Sequence, residues 1–221
     1  MNKKQWENDT EHIIKYYTDM MIKHGYSAEA LAARDKKYTN LFLDELFADI
    51  RIKNNASFLD IGSGLGFFID YIEAKKIKVA NYLGIDLIEK FVDYSKTNYP
   101  SYNFIQGNFI SEKFSPIDKY DYVFALGVLV SKTSEYESYL SAFIKKMVSF
   151  SKEYVLFNLI VEIDKDSKNY ENKETIGGTT CISKVKIEKL LDSFSNITYR
   201  IIEKKLFDDA TDAFIQVKII R

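Results

Sequence analysis

Glycines between a predicted strand and a predicted helix are the residues of this chain best suited to hold a ligand. They lie in the segment LDIGSGLGFF, residues 59–68, whose first residues form a short apolar run. Glycine adopts positive φ values and lets the backbone approach a ligand without a Cβ in the way. The N-terminus of the following helix adds unpaired N–H groups and a positive dipole end, which suit a carboxylate. We therefore predict a ligand-binding turn here.

Three more segments that could contact a ligand follow the next predicted strands. Asp86 ends the second strand, 20 residues after Gly66 (86 minus 66), and a carboxylate there can accept hydrogen bonds from both hydroxyls of a ribose. Asn108 offers a donor and an acceptor to an adenine edge, and the ring of Phe109 could lie against the base. Leu126 follows the fourth strand. Because open α/β sheets bind ligands at the carboxyl ends of their strands, these segments predict one nucleotide-type site.

The order and spacing of these segments resemble the successive motifs of class I S-adenosylmethionine-dependent methyltransferases over about residues 55 to 160. The glycines are spaced G-x-G-x-G, unlike the G-x-G-x-x-G of nicotinamide and flavin binders. The resemblance implies that S-adenosylmethionine is the cofactor, with its methionine part near Asp60 and the glycines, its ribose at Asp86 and its adenine at Asn108 and Phe109. An aspartate is more usual at position 108. The cofactor-binding residues implied in this way are Asp60, Gly62, Ser63, Gly64, Gly66, Asp86, Leu87, Asn108, Phe109 and Leu126.

The turn between the two leading helices is the first candidate for the acceptor side of the site. It reads His24-Gly25-Tyr26-Ser27, and His24 is the candidate catalytic base because the unperturbed pKa of histidine lies near neutrality. The alternative for His24 is a helix-terminal residue that interacts with the helix dipole. Tyr17 and Tyr26 are the candidate substrate-binding residues. Their alternative is a structural position, since the chain has 16 tyrosines and most must be structural.

The polar connection of residues 161–181 is the second candidate for the acceptor side. It follows the fifth predicted strand at the ligand edge of the sheet. Loops of this length are often lids or binding loops, and the alternative is an excursion over the surface. Cys181, the last residue of the connection, is predicted to be a buried small hydrophobic residue. No Cys/His spacing typical of a metal site occurs in the sequence, so no metal is predicted.

Alternating apolar segments predict the elements that must position these residues. The first of two amphipathic helices begins after residues 8–10 and ends at Gly25; the second begins at Ser27 and continues to Ile50. Strands then alternate with helices, and the last two strands are joined by residues 207–212, too short a link for a crossover helix. We predict an α/β fold: a Rossmann-like seven-stranded, mostly parallel sheet with an antiparallel last strand, helices on both faces and an N-terminal helical cap. The predicted domains are the cap, 1–53, and a class I methyltransferase domain, 54–221.

Composition narrows the class of protein and of partner. The chain has 221 residues, and its 31 basic and 32 acidic residues give a formal net charge of -1. This balance, together with only four arginines, disfavours a nucleic-acid partner. A single cysteine excludes an intramolecular disulfide, and no segment is typical of a signal peptide or of a membrane span. We expect a cytoplasmic monomer or homodimer with no membrane partner.

The function predicted from these observations is methyl transfer to an oxygen or nitrogen of a small polar metabolite, such as a sugar or a nucleotide-linked compound. The Asn/Asp-Pro-Pro-Tyr/Phe signature of enzymes that methylate base or amide nitrogens is missing, and residues 126–130 lack the carboxylates of metal-dependent catechol enzymes. Two alternatives stay open: an RNA or protein methyltransferase, and a catalytically inactive module that binds S-adenosylmethionine. A nicotinamide dehydrogenase is disfavoured by the glycine spacing.

Overall fold

Seven strands form one sheet within the part of the chain that the computed structural model describes, residues 6–33, 35–115, 118–167 and 175–220. The strands are β1 (Ala56–Ile61), β2 (Val79–Asp86), β3 (Asn103–Gln106), β4 (Tyr120–Ala125), β5 (Ser151–Ile163), β6 (Ile197–Phe207) and β7 (Ala210–Ile219). The α-helices of these residues are α1 (Trp6–His24), α2 (Lys36–Leu46), α3 (Phe67–Ala74), α4 (Glu89–Asn98), α5 (Tyr136–Phe150) and α6 (Lys184–Leu191).

The strand order is β3-β2-β1-β4-β5-β7-β6. Neighbours from β3 to β5 pair in parallel, whereas β7 pairs antiparallel with both β5 and β6. The chain winds outward in one direction from β1 to β3 and in the other from β4, so the loops after β1 and β4 diverge and leave a crevice between them. The predicted Rossmann-like sheet with an antiparallel last strand is confirmed.

Helices cover both faces of the sheet because its central strands are apolar on both sides. Every residue of β1 and β4 is buried, as expected for parallel strands between two helical layers. Leu59 and Val123 face the layer that contains α5 and α6, whereas the adjacent Phe58 and Phe124 face the layer of α2 and α3. The alternation along each strand therefore produces two hydrophobic cores and fixes the direction of the loops at the strand ends.

The leading helix begins earlier than the sequence suggests. Residues 8–10, predicted as N-caps, lie inside α1, which already begins at Trp6. The carboxylate of Asp9 accepts hydrogen bonds from the backbone N and the Oγ of Ser134, at 2.7 and 2.8 Å. Asp9 therefore joins α1 to the segment before α5, and the cap-like composition reflects a tertiary contact.

The predicted second helix from Ser27 to Ile50 is wrong in its first third. Ser27 precedes a 3₁₀ turn, Ala28–Leu31, which ends at Ala32 in a left-handed conformation with φ 55°. A continuous α-helix cannot pass through that conformation. The helix resumes as α2, capped by Asp35, whose carboxylate accepts from the backbone N of Lys37 at 2.9 Å.

The connection of residues 161–181 differs from its prediction at both ends. Its first residues extend β5 to Ile163, and residues 168–174 lie outside the described part of the chain. Cys181 is exposed, so its predicted burial is wrong. The adjacent Ile182 is buried instead, and its N–H donates to the carbonyl oxygen of Ile160 at 2.9 Å. No helix of the described residues is long and apolar enough to cross a membrane.

Hydrogen bonds from a buried glutamine side chain join the end of α2 to the sheet. Nε2 of Gln216 on β7 donates to the backbone oxygens of Leu46 and Ala48, at 3.1 and 2.7 Å. The last carbonyls of a helix have no partner within the helix, so a side-chain donor at this position satisfies them away from water.

We predict that Gln216→Met lowers the free energy of unfolding by about 1–3 kcal/mol, because buried carbonyl oxygens lose their donor. Urea unfolding followed by circular dichroism measures this. Gln106→Met is the matched control, since Gln106 is exposed on β3, and it should change stability by less than about 0.5 kcal/mol. Equal effects of the two substitutions would contradict the role given to Gln216.

Candidate functional site

A cavity of about 620 Å³ opens at the carboxyl edge of the sheet. Its lining includes residues from the loops after β1, β2, β3 and β4, from α1 and α2, and from the ends of β5, β6 and β7. Of the residues predicted from the sequence, those that line it are Tyr17, His24, Asp60, Gly62, Ser63, Gly64, Asp86, Leu87, Asn108, Phe109 and Leu126. The structure therefore brings the predicted cofactor residues other than Gly66, and part of the predicted acceptor residues, to one place.

The loop after β1 is held in a conformation that requires glycine. Gly62 and Gly64 have φ values of 74° and 52°, in the left-handed region. A Cβ on Gly62 would lie 2.3 Å from Cγ2 of Val128, and a Cβ on Gly64 would lie 2.9 Å from Cδ1 of Leu31. Gly66, with φ 76°, precedes α3 as its N-cap and is not part of the lining. The glycines thus allow the loop to pass closely beneath the segments that cover it.

Asp86 connects the loops that follow β1 and β2. Its Oδ2 accepts a hydrogen bond from the backbone N of Gly64 at 2.8 Å, and its Oδ1 accepts from the backbone N of Ile88 at 2.9 Å. Burial raises the pKa of the Asp86 carboxyl, and these backbone donors oppose the rise. Each carboxylate oxygen keeps a second lone pair with which it can accept from a ligand hydroxyl.

Asp60 is a buried carboxyl group at the end of β1. Its Oδ2 accepts a hydrogen bond from the hydroxyl of Tyr82 at 2.8 Å. Burial raises the pKa of Asp60 to about 7, with the Tyr82 hydrogen bond lowering it and the nearby charge of Asp86 raising it. Protonation of Asp60 therefore changes in the neutral pH range, and its charged form would be stabilised by a cationic ligand group.

The segment after β3 packs partly against the core. Oδ1 of Asn108 accepts from the backbone N of Ile110, and its Nδ2 donates to Oγ1 of Thr10, both at 3.2 Å. The ring of Phe109 is buried, with its centroid 4.9 Å from that of Phe143. Both residues also contribute to the cavity wall, so contact of Asn108 and Phe109 with an adenine stays a prediction.

The first helix, α1, lies across the cavity. Near its beginning it is joined to the segment before α5 by the Asp9–Ser134 hydrogen bonds, and near its end Met21 packs with Ile88 and Phe91. Between these anchors it contributes several residues to the lining: Ile13, Tyr16, Tyr17, Met20 and His24. Burial raises the pKa of Tyr17 to about 12, against a hydrogen bond with the Ser131 side chain that lowers it.

The three residues predicted for the acceptor side do not all lie at the cavity. His24 and Tyr17 line the cavity, whereas Tyr26 is not part of the lining. Tyr26 is 50% exposed and stacks on Tyr94 of α4, with ring centroids 4.7 Å apart. Gly25, between His24 and Tyr26, has a positive φ of 69°, and the role of Tyr26 in substrate binding stays a prediction.

The second half of the 161–181 connection folds over the loop after β4. The backbone of Lys132 accepts from the N–H of Gly177 at 2.9 Å and donates to the oxygen of Gly178 at 2.7 Å, and Thr180 donates to Val130 at 2.9 Å. Gly177 and Thr179 line the cavity. This part of the connection is therefore a wall of the site.

A further wall of the cavity, formed by α2 and by residues of β5, β6 and β7, was not predicted from the sequence. Its lining residues are Tyr38, Thr39, Phe42, Asn158, Ile160, Phe207 and Asp212. The one feature of the sequence that could have indicated this wall is Asp212, an acidic residue near the start of the mostly apolar strand β7. Among the residues that the structure describes, no group of three or more His, Cys, Asp or Glu side chains is placed to hold a metal ion.

Comparisons with known proteins agree with this geometry. Residues 59–148 match a family described as "Methyltransferase domain". The fold is similar to magnesium protoporphyrin IX methyltransferase from Synechocystis PCC 6803 with bound SAM, at 15% identity and a TM-score of 0.64, covering 95% of this chain and 96% of that one. It is also similar to an S-adenosylmethionine-dependent methyltransferase from Clostridium acetobutylicum, at 14% identity and a TM-score of 0.60, covering 97% and 99%.

A third similar structure is the plantazolicin methyltransferase in complex with a monoazolic desmethylPZN analog and SAH, at 17% identity and a TM-score of 0.69, covering 99% of this chain and 97% of that one. No curated protein sequence matches the chain. The family match over residues 59–148 and the similarity of the fold agree with the resemblance to class I S-adenosylmethionine-dependent methyltransferases.

Because the pKa of Asp60 is raised to about 7, we predict that the affinity for the cofactor product depends on pH. If the charged carboxylate faces the ammonium group of the cofactor, affinity for the demethylated product should rise roughly five- to tenfold between about pH 6 and pH 7.5, as Asp60 loses its proton. Calorimetry at each pH measures this. Asp60→Asn should bind more weakly and lose most of the pH dependence, and an equally steep dependence in that variant would assign the titration to another group.

Proposed function

We propose that this chain is a methyltransferase that binds S-adenosylmethionine at the loops after β1, β2 and β3 and transfers its methyl group to an oxygen or nitrogen of a small polar metabolite. The observation that carries this proposal is the shape of the cavity. It extends from Gly64 and Asp86 to a separate wall formed by α2 and β7, and its volume lies within the usual range of small-molecule sites. The site thus has one part for a cofactor and another for an acceptor.

The residues of the first part fit the groups of the cofactor. The positive-φ glycines 62 and 64 allow close approach, Asp86 retains lone pairs for ribose hydroxyls, and Asn108 carries an amide at the edge of the cavity. Oγ of Ser63 is buried and has no hydrogen-bond partner among the described residues. When bound, S-adenosylmethionine supplies an electrophilic methyl group on a sulfonium. The protein's own task is to align the acceptor and exclude water.

A small acceptor is favoured over an RNA or a folded protein because two segments partly enclose the cavity. The helix α1 and residues 175–180 form a wall between the sheet edge and solvent. An extended polymer would have to displace one of them, and the balanced charge of the chain offers no excess of cations for phosphates. The similar structures include a magnesium protoporphyrin IX methyltransferase and a plantazolicin methyltransferase in complex with a monoazolic desmethylPZN analog. Their acceptors differ chemically, so the fold alone does not select the acceptor of this chain.

We also propose that residues 1–53 act as the acceptor-side cap of a domain formed by residues 54–221. Asp9 and Met21 fix α1 at its two ends, and Leu31 of the 3₁₀ turn lies over Gly64. His24 lines the cavity, and we propose it as a base or as a wall of the acceptor pocket. The cytoplasmic location and a monomeric or homodimeric state remain predictions from the sequence.

The proposed activity is tested by mass spectrometry of metabolite extracts incubated with the protein and methyl-labelled S-adenosylmethionine. Label should appear in a small polar compound. Transfer only to RNA or protein fractions would favour the alternative substrate class, and binding of the cofactor without any transfer would favour a catalytically inactive module.

For the cofactor part, we predict that Asp86→Ala weakens binding of the demethylated product by about 1.5–3 kcal/mol. Hydrogen bonds to the ribose are lost, and so are the acceptors for the backbone N–H groups of Gly64 and Ile88. Calorimetry measures the change, with Asp93→Ala, an exposed residue of α4, as the control that should bind normally. Unaltered affinity of a folded Asp86→Ala variant would remove the ribose role.

For the cap, we predict that His24→Ala lowers methyl transfer far more than cofactor affinity. A lost general base costs about a hundredfold or more in kcat, whereas a lost wall mainly raises the KM of the acceptor. Initial rates with the acceptor found above separate these roles. Tyr26→Ala is the control, because Tyr26 lies outside the lining, and activity reduced equally in both variants would contradict a specific role for His24.

A further inference from the structure

A buried carboxylate lies in the acceptor wall without a complete set of partners. Asp212 is 2% exposed and lines the cavity at the start of β7. Its Oδ1 accepts a hydrogen bond from Nδ2 of Asn158 at 3.3 Å, whereas its Oδ2 is buried and has no hydrogen-bond partner in the described part of the chain. A buried carboxylate oxygen without a donor is costly, so its presence at a ligand cavity requires an explanation.

The cationic residue opposite Asp212 on β6 pairs with a different carboxylate. Lys204 is the register partner of Asp212 on β6, but its Nζ pairs with Glu45 at 3.5 Å. Burial raises the pKa of Asp212 to about 6, with the Asn158 hydrogen bond lowering it, so the carboxyl is mainly ionised at neutral pH. The acceptor wall therefore carries a negative charge that the surrounding side chains leave largely uncompensated.

Asn158 holds this carboxylate in a defined relation to the rest of the site. Its Oδ1 accepts from the backbone N of Gly127 at 2.7 Å, so its Nδ2 is left to point towards Asp212. Gly127 follows β4 and lies next to Leu126 in the cofactor part of the cavity. Two hydrogen bonds thus connect Asp212 to the loop where the two parts of the site meet.

Aromatic rings surround the same wall. Tyr38 packs edge-on against Phe207, with centroids 5.0 Å apart, and Phe42 packs against Phe214, with centroids 5.4 Å apart. Tyr38, Phe42 and Phe207 all line the cavity. The faces of aromatic rings attract cations, and a carboxylate among them adds a direct ion-pair partner.

We propose that Asp212 is the acceptor-recognition residue, and that it binds a protonated amine or guanidinium group of the methyl acceptor. This inference rests on the proposed function and narrows its small polar metabolite to a cationic one. The bound cation donates to the Oδ2 that has no partner in the protein, and the ring faces of Tyr38, Phe42 and Phe207 hold its apolar part. Asn158 is a positioning residue that acts through Asp212.

Three probes of one shape but different charge test this proposal: 2-phenylethylamine, 2-phenylethanol and phenylacetate. Each is titrated calorimetrically at about pH 7.5 into wild-type protein saturated with the demethylated cofactor product. We expect the amine to bind at least tenfold more tightly than the alcohol, and phenylacetate to bind most weakly. Equal affinities for the amine and the alcohol, or no binding of the amine at millimolar concentration, would overturn the proposal without requiring any variant.

Asp212→Asn is the matched variant, and Asp208→Asn, an exposed residue of the β6–β7 turn, is its control. We expect Asp212→Asn to reduce amine affinity at least tenfold, to leave affinity for the alcohol unchanged and to raise the melting temperature, because an uncompensated buried charge is removed. A purely structural role would instead lower the melting temperature and leave the amine-to-alcohol preference intact. Binding of the cofactor product by wild-type protein is measured in the same samples, so failure of the proposed function is distinguished from failure of this inference.

Discussion

The carboxylate of Asp86 accepts a hydrogen bond from each of two loops that must meet at the ligand edge of the sheet. One donor is the N–H of Gly64 and the other is the N–H of Ile88. The carbonyl oxygen of Ile85 adds two further bonds, from the N–H groups of Gly62 and Ser63, at 2.8 and 3.0 Å. The end of β2 therefore determines the path of the loop after β1. Only a loop with glycines at positive φ can follow that path while other segments pack on it.

The cover of the cavity depends on this loop in turn. Leu31 lies over Gly64, and the apolar group of Met21, Leu65, Ile88 and Phe91 joins α1 to the loops after β1 and β2. At the other end, Asp9 holds α1 to Ser134. A change in the loop after β1 would therefore disturb both the proposed cofactor part of the cavity and the helix that packs over it.

The parts of this structure that the sequence predicts are those with local signals. The glycine segment, Asp86 and the alternating apolar strands each carry their information within a few residues, and their positions agree with the predicted sheet. The errors come from contacts between distant segments. Asp9 resembles an N-cap but bonds Ser134, and Cys181 is exposed because the adjacent Ile182 takes the buried position. The acceptor wall was missed for the same reason, since no pattern along the chain predicts that α2 lies beside Asp212.

The central claim is that one cavity holds the cofactor at Asp86 and leaves a second part, next to Asp212, for the acceptor. A crystal structure with the demethylated cofactor product bound tests it most directly. We expect ribose hydroxyls within about 3 Å of the Asp86 carboxylate, the sulfur directed towards the space bounded by His24 and Asp212, and α1 across the cleft. Product bound away from Asp86, or filling the space beside Asp212, would contradict it.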